Sequence, residues 1–97
     1  MNEHAEGCRV DVWLWRARFF KTRSMAAAFV GEGRVRLIRA AAETRLDKPS
    51  RTVRPGDGLV FALGGRVVSV RIEGLGERRG PASEARTLYA ELESPPH

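Results

Sequence analysis

Apolar positions follow three regimes along the chain. In RVDVWLWRARFF, residues 9–20, Val12, Trp15 and Phe19 fall at helical spacing, with Trp13 and Phe20 flanking the stripe. Asp11 is placed to cap this helix, because a carboxylate there accepts the orphan N–H groups of a first turn. Arg16 is expected to project away from the core. Thr22 opens a second helix through Arg23 to Glu32. Its Ala26-Ala27-Ala28 run is strongly helix-forming and permits close helix approach. Met25, Phe29 and Val30 supply bulk, and Gly31 and Gly33 end the helix. On this reading only a residue or two separates the helices, which form a tight pair.

From Arg34 the period changes to two. Arg34 and Arg36 alternate with Val35 and Leu37, as in a half-buried strand. Residues 39–47, RAAAETRLD, fit either a loop or a short helical insertion. Lys48-Pro49-Ser50 is expected to be extended, since proline biases its predecessor away from helix. Arg54-Pro55-Gly56-Asp57 is a turn signal. Leu59, Phe61 and Leu63 alternate, Gly64-Gly65 fits a two-residue turn, and Val68, Val70 and Ile72 alternate again, which is a β-hairpin. A loop with Arg78 and Arg79 follows. Pro81 suits a helix first turn, and Ala85, Leu88, Tyr89 and Leu92 form an i, i+3, i+4, i+7 stripe.

Helices followed by antiparallel strands indicate an α+β fold. The 97 residues allow one domain: residues 9–92, between flexible tails at 1–8 and 93–97. No apolar run approaches the ~18–20 residues that cross a bilayer. The first residues, MNEHAEG, lack the apolar core of a secretory leader, so the cytoplasm is the expected location and no membrane is a partner. Cys8 is the one cysteine, which excludes an intrachain disulfide or a cysteine-based zinc site. Its place among polar residues suggests a frayed tail.

Charge changes the picture more than composition does. The net charge is +5, but it is unevenly spread. Arg9, Arg16, Arg18, Lys21 and Arg23 face a single acid, Asp11, giving a local +4. Residues 33–54 add +5, whereas residues 55–97 are at −1. The positive field therefore belongs to the N-terminal half. A segment both apolar and basic buries one face and presents the other to an anion, for which nucleic acid is the natural class; a solvated charged face is the plainer alternative. Lys21, Thr22 and Arg23 cluster at a helix N-terminus, where free N–H groups and the helix dipole favour phosphate. Trp13 and Trp15 are read as core, with base stacking as the alternative. His4 and His97 stand in the tails without partners. No nucleophile has a positioned base, no carboxylates are paired, and no glycine-rich phosphate loop precedes a helix. No catalytic, cofactor or metal residue is assigned.

The run RVDVWLWRARFFKTRSMA, then GEGRVR, KPS and VRPGD, resembles the S4-type RNA-binding domain, or alpha-L motif. The spelling WLW…RFFKTRS with a later RRGPASEA is similar, more narrowly, to the bacterial ribosome-associated heat-shock protein fifteen family. The resemblance spans about Arg9 to Leu92. It implies a helix pair packed on a small curved antiparallel sheet, a C-terminal helix, and a non-catalytic protein that binds structured RNA. The implied partner is ribosomal RNA of the large subunit, in a stress response or in rescue of subunits still carrying a nascent chain on tRNA. The RNA-contacting positions it implies are Arg9, Arg18, Lys21, Thr22, Arg23, Arg34, Arg36, Lys48 and Ser50. A monomer is expected. Three departures stand out. Val12 replaces a customary lysine, residues Arg39 to Leu46 replace a short Asn-Gly hairpin and lengthen that connection, and the family's long basic C-terminal extension has no counterpart before His97. S4-type modules also accompany RNA-modifying enzymes, so an accessory role beside a catalytic partner is the alternative. A DNA-reading helix-turn-helix fits less well, because Met25 to Val30 offers few base-reading side chains.

Overall fold

The computed structural model describes residues 7–92. The parts of the expected tails that hold His4 and His97 lie outside the described residues. The chain forms β1 (Cys8–Arg9), α1 (Val10–Arg16), α2 (Arg23–Gly31), β2 (Val35–Arg39), β3 (Ala42–Leu46), β4 (Thr52–Val53), β5 (Gly58–Leu63), β6 (Arg66–Ile72), α3 (Ala82–Ala85), a 3-10 turn (Arg86–Leu88) and β7 (Tyr89–Glu91). A five-stranded sheet runs in the order β3-β2-β5-β6-β7, every neighbour antiparallel, and β1 pairs with β4 in a small second sheet. The expected α+β class therefore stands.

The buried stripe of α1 differs from the one expected. Val10, Trp13, Leu14 and Ala17 are buried, whereas Val12 and Trp15 are half-buried. The helix stops at Arg16, because Arg18 takes a left-handed φ of 68°. Its N–H bonds Trp15 O at 3.0 Å and that of Phe19 bonds Leu14 O at 3.0 Å, the paired bonds of a Schellman motif with arginine at the usual glycine position. Without a glycine there, the aromatic run reads as unbroken helix. Phe19 and Phe20 instead leave the helix and turn inward: Phe19 meets Phe61 edge-on at 5.4 Å, and Phe20 packs on Phe29 at 5.0 Å. Residues 17–22 thus form a real connection rather than one or two residues.

Asp11 does not cap α1; it lies inside the first turn, where its Oδ1 accepts from Val12 N at 2.7 Å. Thr22 caps α2 as expected, accepting from Met25 N at 3.0 Å. Cys8, expected in a frayed tail, pairs with Val53 and is half-buried. Burial pushes its thiol pKa up, so it stays a neutral, weakly nucleophilic group.

Residues 39–47 are neither loop nor helix. Arg39 pairs with Ala42 across a two-residue turn in which Ala40 and Ala41 have φ of 53° and 67°, the signature of a type I′ hairpin. The connection is therefore as tight as the Asn-Gly hairpin it replaces. Lys48-Pro49-Ser50 is not extended: Arg51 N bonds Lys48 O at 3.0 Å, closing a β-turn with Pro49 at its second position. The Gly64-Gly65 hairpin and the Arg54–Asp57 turn form as expected. The C-terminal helix starts after Pro81 but lasts one turn. Tyr89 then pairs with Ile72, because the edge of β6 offers unmade ladder bonds that outweigh further helix. Trp13, Leu14 and Val10 pack the helix layer onto Val35, Leu37, Leu59, Phe61, Val70 and Ile72 of the sheet.

Candidate nucleic-acid interface

Arg9, the residue before α1, supplies no side-chain cap, so the helix amides need other acceptors. The Lys48–Arg51 turn supplies them: Val10 N donates to Arg51 O at 2.9 Å and Asp11 N to Pro49 O at 3.3 Å. These bonds hold Lys48, Ser50 and Arg51 beside Asp11. The Asp11 carboxylate, nearly buried, takes a bidentate pair from Arg9 at 3.0 and 2.9 Å. Its charge is thereby matched before it reaches any neighbour.

On the other side of Asp11 lies an open groove of about 590 Å³ lined by Asp11, Trp15, Lys21, Thr22, Arg23, Ser24 and Ala27. Lys21 and Arg23 are exposed, and among the described residues neither has a carboxylate within ion-pair distance. Two uncompensated cations flanking a helix N-terminus make this groove an anion-attracting surface. Thr22 is also exposed, but its hydroxyl oxygen holds the first turn of α2, so it fixes the neighbouring side chains.

The basic surface continues from the Lys48 turn. Arg45, Lys48 and Arg51 share a pocket of about 240 Å³ with Leu46 and Asp47. Arg45 lies directly opposite Arg36 in the β2–β3 ladder. Facing like charges oppose sheet pairing, and here Glu43 offsets one of them, bonding Arg36 at 3.0 Å. Arg45 and Arg51 are the cations that reading the sequence missed. Their signal was the register of the hairpin, which an ambiguous 39–47 segment could not supply.

The remaining expected positions separate from this track. Arg34 pairs with Glu32 at 3.2 Å and lies 4.3 Å over the Phe29 ring. Arg18 donates to Gly80 O at 2.7 Å, beside Ala82 and Arg86, rather than joining the groove. Arg16, expected to project outward, is half-buried and donates to Gly76 O at 2.7 Å and Leu75 O at 3.3 Å. Arg79 completes this clamp, donating to Trp15 O at 3.2 Å. These three arginines fasten residues 75–80 to the end of α1.

The two tryptophans divide. Trp13 is fully buried, its indole N–H bonded to Gly74 O at 2.8 Å, and its ring lies 6.3 Å from that of Tyr89. Trp15, expected in the core, lines the groove instead and packs outside the core cluster. The shorter helix sets this: with Val10, Trp13, Leu14 and Ala17 facing the sheet, Trp15 points off the stripe. Among the described residues no group of His, Cys, Asp or Glu is placed to hold a metal ion, and no helix is long and apolar enough to cross a membrane.

Residues 8–37, which hold the helix pair and the start of β2, match the model of the S4 domain family. The chain is 40% identical over 86 residues to a heat shock protein 15 homolog of Haemophilus influenzae, covering 89% of this chain and 62% of that protein. It is 37% identical to heat shock protein 15 of Escherichia coli, covering 86% of this chain and 59% of that one. It thus spans about three-fifths of the length of these relatives. The RQC P-site tRNA stabilizing factor of Listeria innocua is 32% identical, with 86% of this chain and 87% of that protein covered. Heat shock protein 15 of Vibrio cholerae, solved as a trimer, superposes with a TM-score of 0.77 at 38% identity, covering 90% of this chain and 83% of that one. That assembly stands against the expected monomer. Shared fold, the S4 match and identity over most of the chain agree: this chain belongs to the S4-domain heat shock protein 15 family.

Proposed function

We propose that this chain binds structured RNA of the large ribosomal subunit, without catalysis, in a cytoplasmic stress response or in rescue of stalled nascent-chain complexes. One observation carries the reading. Lys21 and Arg23 of the groove, which have no carboxylate partner among the described residues, continue, across the neutralised Asp11–Arg9 pair, into the turn of Lys48, Ser50 and Arg51 and on to Arg45. Such a track, set on rigid elements, follows a phosphate backbone and reads shape more than base identity. The names of the relatives, a heat shock protein and a factor stabilizing P-site tRNA, support a ribosomal partner.

Sedimentation with cell lysate through a sucrose gradient tests this. The wild-type chain is expected with the large subunit, and Lys21→Ala with Arg23→Ala is expected near the top. Free binding to folded ribosomal RNA should fall with salt at a log–log slope of about −3 to −5, from roughly four to five phosphate contacts. Sedimentation away from large subunits, or a double variant indistinguishable from wild type, would overturn the reading.

A further inference from the structure

We infer that Trp15 is a stacking platform for one unpaired RNA base, held between the cations of the groove. The inference rests on the RNA-binding reading above and adds what the groove selects. Both tryptophans lie on the same short helix, yet only Trp13 is committed to the fold. Trp13 is fully buried, bonds Gly74 O, and packs near Phe19 and Tyr89. Trp15 belongs neither to the core cluster nor to the aromatic contacts that link Trp13, Phe19, Phe20, Phe29, Phe61 and Tyr89. Among the described residues no acceptor receives its indole N–H, and that N–H is not among the buried unsatisfied atoms.

A large aromatic left only partly buried forgoes burial that the core would reward. Here it forms the apolar wall of a groove whose other walls carry Lys21, Arg23, Thr22 and Ser24. An apolar face beside exposed cations matches a nucleotide, which presents a π-surface next to a phosphate. A duplex keeps its bases stacked on each other and offers only backbone; a bulged or looped base can leave the helix and lie on the indole. The groove is open and its cations continue toward the Lys48 turn, so it suits a base within a longer RNA better than a free nucleotide.

Two RNA hairpins that differ by one bulged adenine, replaced by 2-aminopurine for detection, test the assignment. With the wild-type chain, 2-aminopurine fluorescence is expected to be quenched on binding, and the bulged hairpin to bind about tenfold tighter than the paired one. Trp15→Phe should keep the quenching, while Trp15→Leu and Trp15→Ala should lose it and bind the two hairpins alike. Thermal melting of the variants should stay close to wild type. Excess adenosine monophosphate should leave the bulged hairpin bound. Absence of quenching by the wild-type chain overturns the platform whatever the variants do. So does a Trp15→Leu variant that retains the bulge preference, or one that weakens both hairpins equally. Displacement by adenosine monophosphate overturns RNA as the source of the base. Lys21→Ala with Arg23→Ala separates the two levels: full binding by that variant overturns the groove itself, whereas its loss of both hairpins, beside a wild-type chain that binds both without quenching, overturns the stack alone.

Discussion

Ala40 and Ala41 hold the β2–β3 hairpin in a backbone conformation that suits neither. Both have φ in the left-handed region, at 53° and 67°, and both are exposed. There the Cβ of an L-residue crowds the carbonyl that follows, at roughly 1–2 kcal/mol per residue. Replacing Ala41 with glycine removes that contact but returns about 0.5–1 kcal/mol of unfolded-chain entropy. Asparagine at position 40 tolerates the left-handed region better than alanine, and Asn-Gly is the preferred type I′ pair. Together, Ala40→Asn and Ala41→Gly should stabilise the domain by about 1 kcal/mol, raising Tm by about 4–8 °C for a chain this size. Ala41→Val should lower it, since a β-branched residue fits this region worst. Arg36 and Arg45 stay opposite each other throughout, so RNA affinity should stay within about twofold. Thermal and urea unfolding followed by circular dichroism would measure the change. An Asn-Gly variant no more stable than wild type, or a valine variant as stable, would refute the type I′ assignment and the strain argued from it.

Trp13→Ala should cost about 3–5 kcal/mol by opening a cavity under the helix layer; chemical denaturation of that variant beside Trp15→Ala, which should cost far less, checks the division between the two rings. Burial pushes the Asp57 carboxyl up, but the hydrogen-bonded Arg39 guanidinium, 2.7 Å away, and the Arg54 amide outweigh it, so its pKa lies below the ordinary carboxylate value. A depressed folded-state pKa means that this stabilisation is present above about pH 4 and is lost as pH falls through the folded value. Urea midpoints measured from neutral to acid pH should fall for wild type and change less for Asp57→Asn. Lys21→Ala with Arg23→Ala should weaken RNA binding by roughly 1–3 kcal/mol with little change in Tm. Arg79→Ala should instead lower Tm by loosening the clamp on Trp15 O, as paired melting and filter-binding measurements would reveal.

Local chemistry made much of this protein legible in advance. Thr22 caps its helix because a hydroxyl one residue before a helix-forming run meets a free amide whatever the tertiary setting. Gly64-Gly65 closes its hairpin because two residues with free φ between alternating apolar runs admit few alternatives. The cationic half, with Lys21 and Arg23 at its centre, is a property of composition alone. Other features depended on competition among distant groups. Arg18 in a glycine's place hid the end of α1, and with it the phase that buries Trp13 fully and leaves Trp15 only partly buried at the groove. Tyr89 left a well-patterned helix because the edge of β6 had backbone bonds to make. Arg45 and Arg51 entered the basic track only when the hairpin register and the uncapped amides of α1 placed them there. Periodicity reports which residues prefer burial; which of them achieves it is decided by the sheet that packs against them.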